Sequence, residues 1–380
     1  MANTHRAFLA AVAALALLPS FGWQKALILK ALDAEGVRRV KDNGFDGVEI
    51  RLHDESAAEA AAARKFAAEN GVVIHSVMAN GWYAFDDETK FDAELAKAKR
   101  ELEVAAAYGV DTILVVSGSR RSEEKRYLKL TAEEQAKVDA ATRRAFAELV
   151  PIAARLKVVL ALEFVWNNCW ADPEAYAAFV KSFGSPWVKI YLDLGNGLKF
   201  APTEKWISAA GGLIRRVHVK DFELDPSMPR GGEFVAFGTG DVDFAGAKRA
   251  LEAVGYTGWV SVEEGAWSDA EYARLVDWFF AGAPSGEALG NWTIDIPSWK
   301  TVTADVKDGK VRIVRRSDGR SRFGDCPYDV IRGTAVGDEL FCRALTFGRD
   351  GKPTRKETRF VGRRQPSADG SPSGLRPIRR

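Results

Sequence analysis

The chain has 380 residues, more than one small core needs and enough for a barrel-sized domain plus a smaller one. Hydrophobic residues make up 47% and charged residues 28%, the ordinary balance of a soluble globular protein. Lys+Arg 54 against Asp+Glu 52 leaves a net charge of +2, which gives the main body no electrostatic footprint for nucleic acid.

At the N-terminus, His5-Arg6 precedes the apolar run Ala7 to Leu18, closed by Pro19-Ser20. A weakly positive start before an apolar run too short to span a bilayer has the pattern of a secretory signal. Thr4 to Leu9 also resembles a degraded twin-arginine motif, with His5 where the first Arg would stand. Residues 1–21 are therefore expected to be a signal peptide and the protein exported, periplasmic or secreted. The alternative is an N-terminal helix packed on the barrel floor of a cytoplasmic protein.

From residue 22 to about 283, short apolar runs alternate with longer helical stretches. The runs are Ala26–Leu29, Gly47–Ile50, Val72–Val77, Thr112–Val116, Val158–Leu162, Val188–Leu192, Ile214–Val219 and Gly258–Val262. Ser56–Glu69, Phe91–Tyr108 and Ala132–Arg155 are rich in Ala, Glu, Lys and Leu and read as helices. Eight β units, each followed by a helix, over about 260 residues is the count for an α/β (β/α)8 TIM barrel. No Gly-x-Gly-x-x-Gly or P-loop follows any run, which argues against a doubly wound nucleotide-binding sheet.

After Pro284-Ser285-Gly286 the character changes. Turn pairs at Asp308-Gly309, Asp318-Gly319 and Gly337-Asp338 punctuate short strand-like runs. Residues 288–363 are expected to form a small antiparallel β domain, similar to lipocalin-like modules, and residues 364–380 a disordered basic tail. Cys169, Cys326 and Cys342 have no metal-ligand spacing; Cys326 and Cys342 are either a bridge or two separate thiols.

Four strand-like runs end in a ligand-type side chain: Glu163, Asp193, His218 and Glu263. Singly, each has a plain explanation: a helix cap, a bond to loop amides, a core histidine. At four strand ends of one closed barrel they would converge where such barrels carry their chemistry. Carboxylate oxygens with one imidazole nitrogen suit one divalent metal, Mn, Mg, Co or Zn. Weaker candidates are Ser56 or Asp54 as a helix N-cap, the aromatic group Trp82-Tyr83-Phe85, Arg120-Arg121 as an anion site, and the Gly238-Thr239-Gly240-Asp241 turn.

Four blocks carry a resemblance: Ala161 to Asn168, Ser185 to Asn196, Ile214 to Phe222, and Gly238 to Glu263. Phe45 to Glu49 and Ile74 to Val77 fit beside them. Together they resemble the sugar phosphate isomerase/epimerase family, with its xylose isomerase-like TIM barrel, and within it the L-ribulose/L-xylulose 5-phosphate 3-epimerases. The resemblance implies that Glu163, Asp193, His218 and Glu263 bind the metal, with Glu163 and Glu263 also serving as the acid/base pair. It implies that Glu49, His75, Trp166, Asn167, Asn196 and Lys220 line the sugar pocket. Asn196, where free-hexulose epimerases carry a His, favours the pentulose branch.

The expected activity is a metal-dependent isomerase or 3-epimerase acting on a ketose through an enediolate. The alternatives are lyase chemistry on an exported 3-keto-glycoside at the same site, and a non-catalytic sugar-binding barrel. A DNA-repair endonuclease of the same fold needs more His than the four present. The expected partner is a small-molecule sugar, with no nucleic acid and, after signal removal, no membrane. A homodimer is left open.

Overall fold

A computed structural model describes residues 22–118, 129–166, 169–228, 230–263 and 265–284, and beyond these the strand segments 290–293, 302–307, 310–316, 330–337, 339–345 and 358–364. The expected signal peptide (residues 1–21), Arg120-Arg121, Asn167, Cys326 and the residues after 364 lie outside the described residues.

Seven parallel strands come first: β1 (Gln24–Leu29), β2 (Gly47–Arg51), β3 (Val73–Tyr83), β4 (Thr112–Ser117), β5 (Val159–Glu163), β6 (Val188–Asp193) and β7 (Ile214–Val219). A two-stranded antiparallel hairpin follows, β8 (Asp221–Leu224) and β9 (Gly232–Val235). The eighth barrel strand, β10 (Trp259–Val262), then closes the barrel by pairing with both β7 and β1. Eight helices alternate with the barrel strands: α1 (Ala34–Asp42), α2 (Ala57–Glu69), α3 (Phe91–Tyr108), α4 (Ala132–Leu156), α5 (Pro173–Lys181), α6 (Thr203–Ala210), α7 (Phe244–Ala253) and α8 (Asp269–Phe280). The predicted barrel is therefore the observed one, with β3 running six residues past its predicted end.

Local chemistry explains where the helices begin. Ser56, Thr131 and Ser268 each accept from the amide three residues on, and Glu59, Glu134 and Glu271 return the bond, three capping boxes. Ser56 is thus a cap rather than a site residue. Tyr83 and Phe85 are buried, with the Tyr83 hydroxyl on Glu101, so that part of the aromatic group is packing. No helix among the described residues is long and apolar enough to cross a membrane.

The C-terminal strands are β11 (Gly290–Thr293), β12 (Val302–Lys307), β13 (Lys310–Arg316), β14 (Val330–Val336), β15 (Glu339–Leu345) and β16 (Thr358–Arg364). They pair antiparallel in sequence order and close through β11 and β16 into a second, small barrel. Cys342 on β15 is a buried free thiol.

Candidate metal centre and active site

Strand register brings the predicted residues together. On β6 and β7, Asp193 pairs with His218, and Glu163 on β5 pairs with Tyr191 beside them. Glu263 follows β10 directly, its amide donating to the Val219 carbonyl. Glu163, Asp193, His218 and Glu263 each offer a ligand atom, all within 4.8 Å of one another. His218 Nδ1 lies 3.2 Å from Glu263 Oε2 and 3.9 Å from Glu163 Oε1.

The surroundings hold these side chains in place. Asp193 Oδ1 accepts from the amides of Gly195 and Asn196, at 2.9 and 2.6 Å. Gly195 is required there, because a Cβ would sit 2.9 Å from the Lys220 carbonyl oxygen. Asn196 Nδ2 donates to Glu163 Oε1 at 2.9 Å and to the Phe164 carbonyl. Trp166 Nε1 donates to the Asn196 carbonyl at 3.1 Å, and its ring packs on Phe222 and Phe234. Lys220 Nζ sits 2.8 Å from Glu263 Oε2 and 3.6 Å from Asp193 Oδ2.

Glu49 and His75, expected to line the sugar pocket, are both buried side chains. Glu49 is fully buried behind the His218 ring, its Oε2 accepting from His218 Nε2 at 2.9 Å and from the Tyr191 hydroxyl at 2.7 Å. His75 lies deeper in the barrel. Its Nε2 is 3.0 Å from Ser261 Oγ, its Nδ1 3.0 Å from Ser76 Oγ, and its ring stacks on Trp259. Ser261 precedes Glu263 by two residues, so it faces the same interior one step lower on the strand. A register shift between Val48 and Glu49, where β2 pairs with β3, contributes to this layering.

The residues fit a divalent cation. Asp193 Oδ2 is buried and has no hydrogen-bond partner, an orphan acceptor of the kind a cation satisfies. Three carboxylates crowd together here, with Lys220 and Arg51 as the nearby side-chain cations, Arg51 at 3.7 Å from Glu263 Oε1. With Nε2–H committed to Glu49, Nδ1 is the nitrogen turned to the carboxylates, the carboxylate–histidine arrangement that fixes a metal-binding imidazole. In the metal-free ring, burial and the neighbouring Glu263 charge raise Glu163 to about 7. Burial also raises Asp193, against the pull of Lys220. Burial would lift Glu263 too, but the Lys220 ammonium and His218 hold it below the ordinary carboxylate range. The His218 imidazolium is penalised by burial, yet the carboxylates of Glu49, Glu163 and Glu263 raise it well above its usual value. Burial lowers His75 to about 3, so it is neutral.

The Gly238 to Asp241 turn proves to hold an anion from its own chain. The amides of Gly238 and Gly240 donate to Asp221 Oδ2 at 3.0 and 2.7 Å. Asp221 opens the hairpin, which the sequence reading left out. Its signal was Gly231-Gly232 before the alternating Glu233-Phe234-Val235.

A profile of the xylose isomerase-like TIM barrel matches residues 37–281. The chain belongs to that family. L-ribulose-5-phosphate 3-epimerase of Salmonella paratyphi A is 27% identical over 273 residues, covering 67% of this chain and 92% of that one. Among solved structures, the xylose isomerase domain protein of Planctomyces limnophilus superimposes with a TM-score of 0.56 at 16% identity. It covers 70% of this chain and 98% of its own. The IOLI protein with a bound zinc atom gives 0.54 at 20% identity, covering 67% and 96%. The two superpositions establish the fold; the matched sequence relative is a sugar epimerase, an enzyme.

Proposed function

We propose that the chain is a divalent-metal-dependent sugar isomerase, most specifically a ketose 3-epimerase, with Glu163, Asp193, His218 and Glu263 as metal ligands. What supports it most is the convergence of those four side chains around the orphan Asp193 Oδ2 at the C-terminal mouth of the barrel. A metal bound there would act as a Lewis acid on the substrate's oxygens, worth several kcal/mol to the developing enediolate. Everything else falls to the chain's own groups.

Glu163 and Glu263 act as the acid/base pair: one takes the proton α to the carbonyl and the other returns it. Asn196 fixes Glu163 through its Nδ2 bond, so the carboxylate is aimed rather than free to rotate. Lys220 keeps Glu263 ionised and presents an ammonium to the substrate's oxygens. Phe234, backed by the buried Trp166 ring, supplies the apolar wall that a sugar face packs on. Glu49 orients His218 from behind, and His75 supports the floor of the site.

The test follows the proton. Because the matched relative is an L-ribulose-5-phosphate 3-epimerase, the substrates to offer are pentuloses, both free and phosphorylated. Solvent deuterium should enter C3 of an accepted ketose, and Glu263→Gln should abolish it. Exchange unaffected by that substitution would remove Glu263 from the chemistry.

A further inference from the structure

Above the ring lies a pocket of about 520 Å³, and the barrel does not wall it alone. Lys220 and Glu263 form its inner side, Phe234 of the β8–β9 hairpin and Ala266 of the loop after β10 its flanks, and Arg359 of β16 its outer rim. Arg359 lies well beyond residue 281, where the family match ends.

The C-terminal module is seated on the two elements that make the flanks. On the hairpin, Glu223 forms ion pairs with Arg332 of β14 and Arg343 of β15, and Arg343 is fully buried. Beside the loop, the Trp267 ring meets Phe341 edge-on at 5.5 Å. Arg274 of α8 pairs with Glu339 at 2.5 Å. Phe341 belongs to the same apolar core as the TIM barrel, with Val336 and Val361 packed against that core. The module is therefore held by charge on one side of the pocket and by a shared core on the other. Its Arg359 is fixed as well: Nη1 donates to the Ala266 carbonyl at 2.9 Å.

Two features of the rim suit a sugar. Phe234 is a large apolar side chain left 40% exposed, and it faces the pocket. Arg359 brings a guanidinium, which has donors only, so whatever it binds must present acceptor oxygens. An aromatic face opposite a cationic donor is the pairing that grips a polyhydroxylated ring or chain. We propose that the C-terminal module completes the substrate pocket, and that Arg359 binds acceptor oxygens, hydroxyl or phosphate, at the end of the sugar remote from the reacting carbon.

This rests on the epimerase reading for the identity of the reaction, so the test has an arm that needs no turnover. With full-length, metal-loaded protein and an accepted ketose, Arg359→Ala should raise KM at least about tenfold, the scale of one charged hydrogen bond. kcat and the thermal midpoint should hold, and Arg359→Lys should recover part of the loss. In the second arm, ribitol and ribitol 5-phosphate, which lack the carbonyl, are titrated calorimetrically. Both should bind wild type, and Arg359→Ala should weaken binding by a similar factor. A larger loss for the phosphate ester identifies a phosphate as the group held, and equal losses identify hydroxyls. If wild type turns over no ketose yet the polyols bind through Arg359, the reaction is misassigned and the rim contact stands. Wild-type KM and wild-type polyol affinity in Arg359→Ala, or no polyol binding at all, would overturn it.

Discussion

Glu49 offers the sharpest perturbation, because it is fully buried behind His218 and should control the metal. Its Oε2 accepts from His218 Nε2 at 2.9 Å and from the Tyr191 hydroxyl, in a spot with no exposed surface. Water cannot replace a bond lost there. Glu49→Gln keeps the volume and one acceptor but removes the charge. A hydrogen bond to a charged group contributes about 1.5–3 kcal/mol. Since Gln retains a neutral bond, the loss should fall near the lower end, about 1.5 kcal/mol, or slightly more than tenfold in metal affinity. The assay is a chelator-competition titration with Mn or Zn on folded protein, with circular dichroism as the check on folding. Glu49→Ala, which strips His218 Nε2 of its acceptor and leaves the Tyr191 hydroxyl only the longer contact with Ser76 Oγ at 3.4 Å, should lose more. Affinity within about twofold of wild type in a folded Glu49→Gln protein would refute the claim that Glu49 holds His218 for the metal.

Other expectations follow from the same geometry. In the metal-free ring Glu163 is raised to about 7 and His218 well above its usual value, so both carry protons that a cation must displace. Metal binding at pH 6 should release protons, and affinity should climb as pH rises through 7; calorimetry in buffers of different ionisation enthalpy reads this directly. The linkage to stability has the opposite sense for His218. Its raised value stabilises the metal-free fold fully below the unfolded pKa of about 6.5, and that contribution fades as pH rises through the folded value, so the metal-free thermal midpoint should fall at high pH. Glu223→Gln should destabilise the chain by about 3 kcal/mol in chemical denaturation, because buried Arg343 loses the charge of its nearest carboxylate, Glu233 standing farther off at 3.9 Å. Gly240→Ala should cost about 1–3 kcal/mol, since its Cβ would run into the Asp221 carboxylate.

The ring of four was legible in the sequence for a physical reason. Each member ends a short apolar run, and a closed parallel barrel brings all its strand ends to one mouth, so position along the strand was enough. Glu49 and His75 were harder. Both sit on barrel strands with inward-facing side chains, but which layer they occupy depends on register between neighbours, and β2 shifts register against β3 just before Glu49. Alternation along one strand says nothing of that shift. The Asp221–Val235 hairpin escaped because its strands are four residues each, too short for a clear period. The seating of the C-terminal module was invisible for another reason. It depends on contacts such as Glu223 with Arg343, 120 residues apart, and no local pattern in a basic β segment names its acidic partner.

The central claim is that Glu163, Asp193, His218 and Glu263 hold one catalytic divalent metal. Elemental analysis of protein purified under metal-replete conditions tests it most directly. About one Mn, Mg, Co or Zn per wild-type chain is expected, with its loss in Asp193→Ala while the fold is retained. Wild-type protein with no metal, or Asp193→Ala with metal content undiminished, would contradict it.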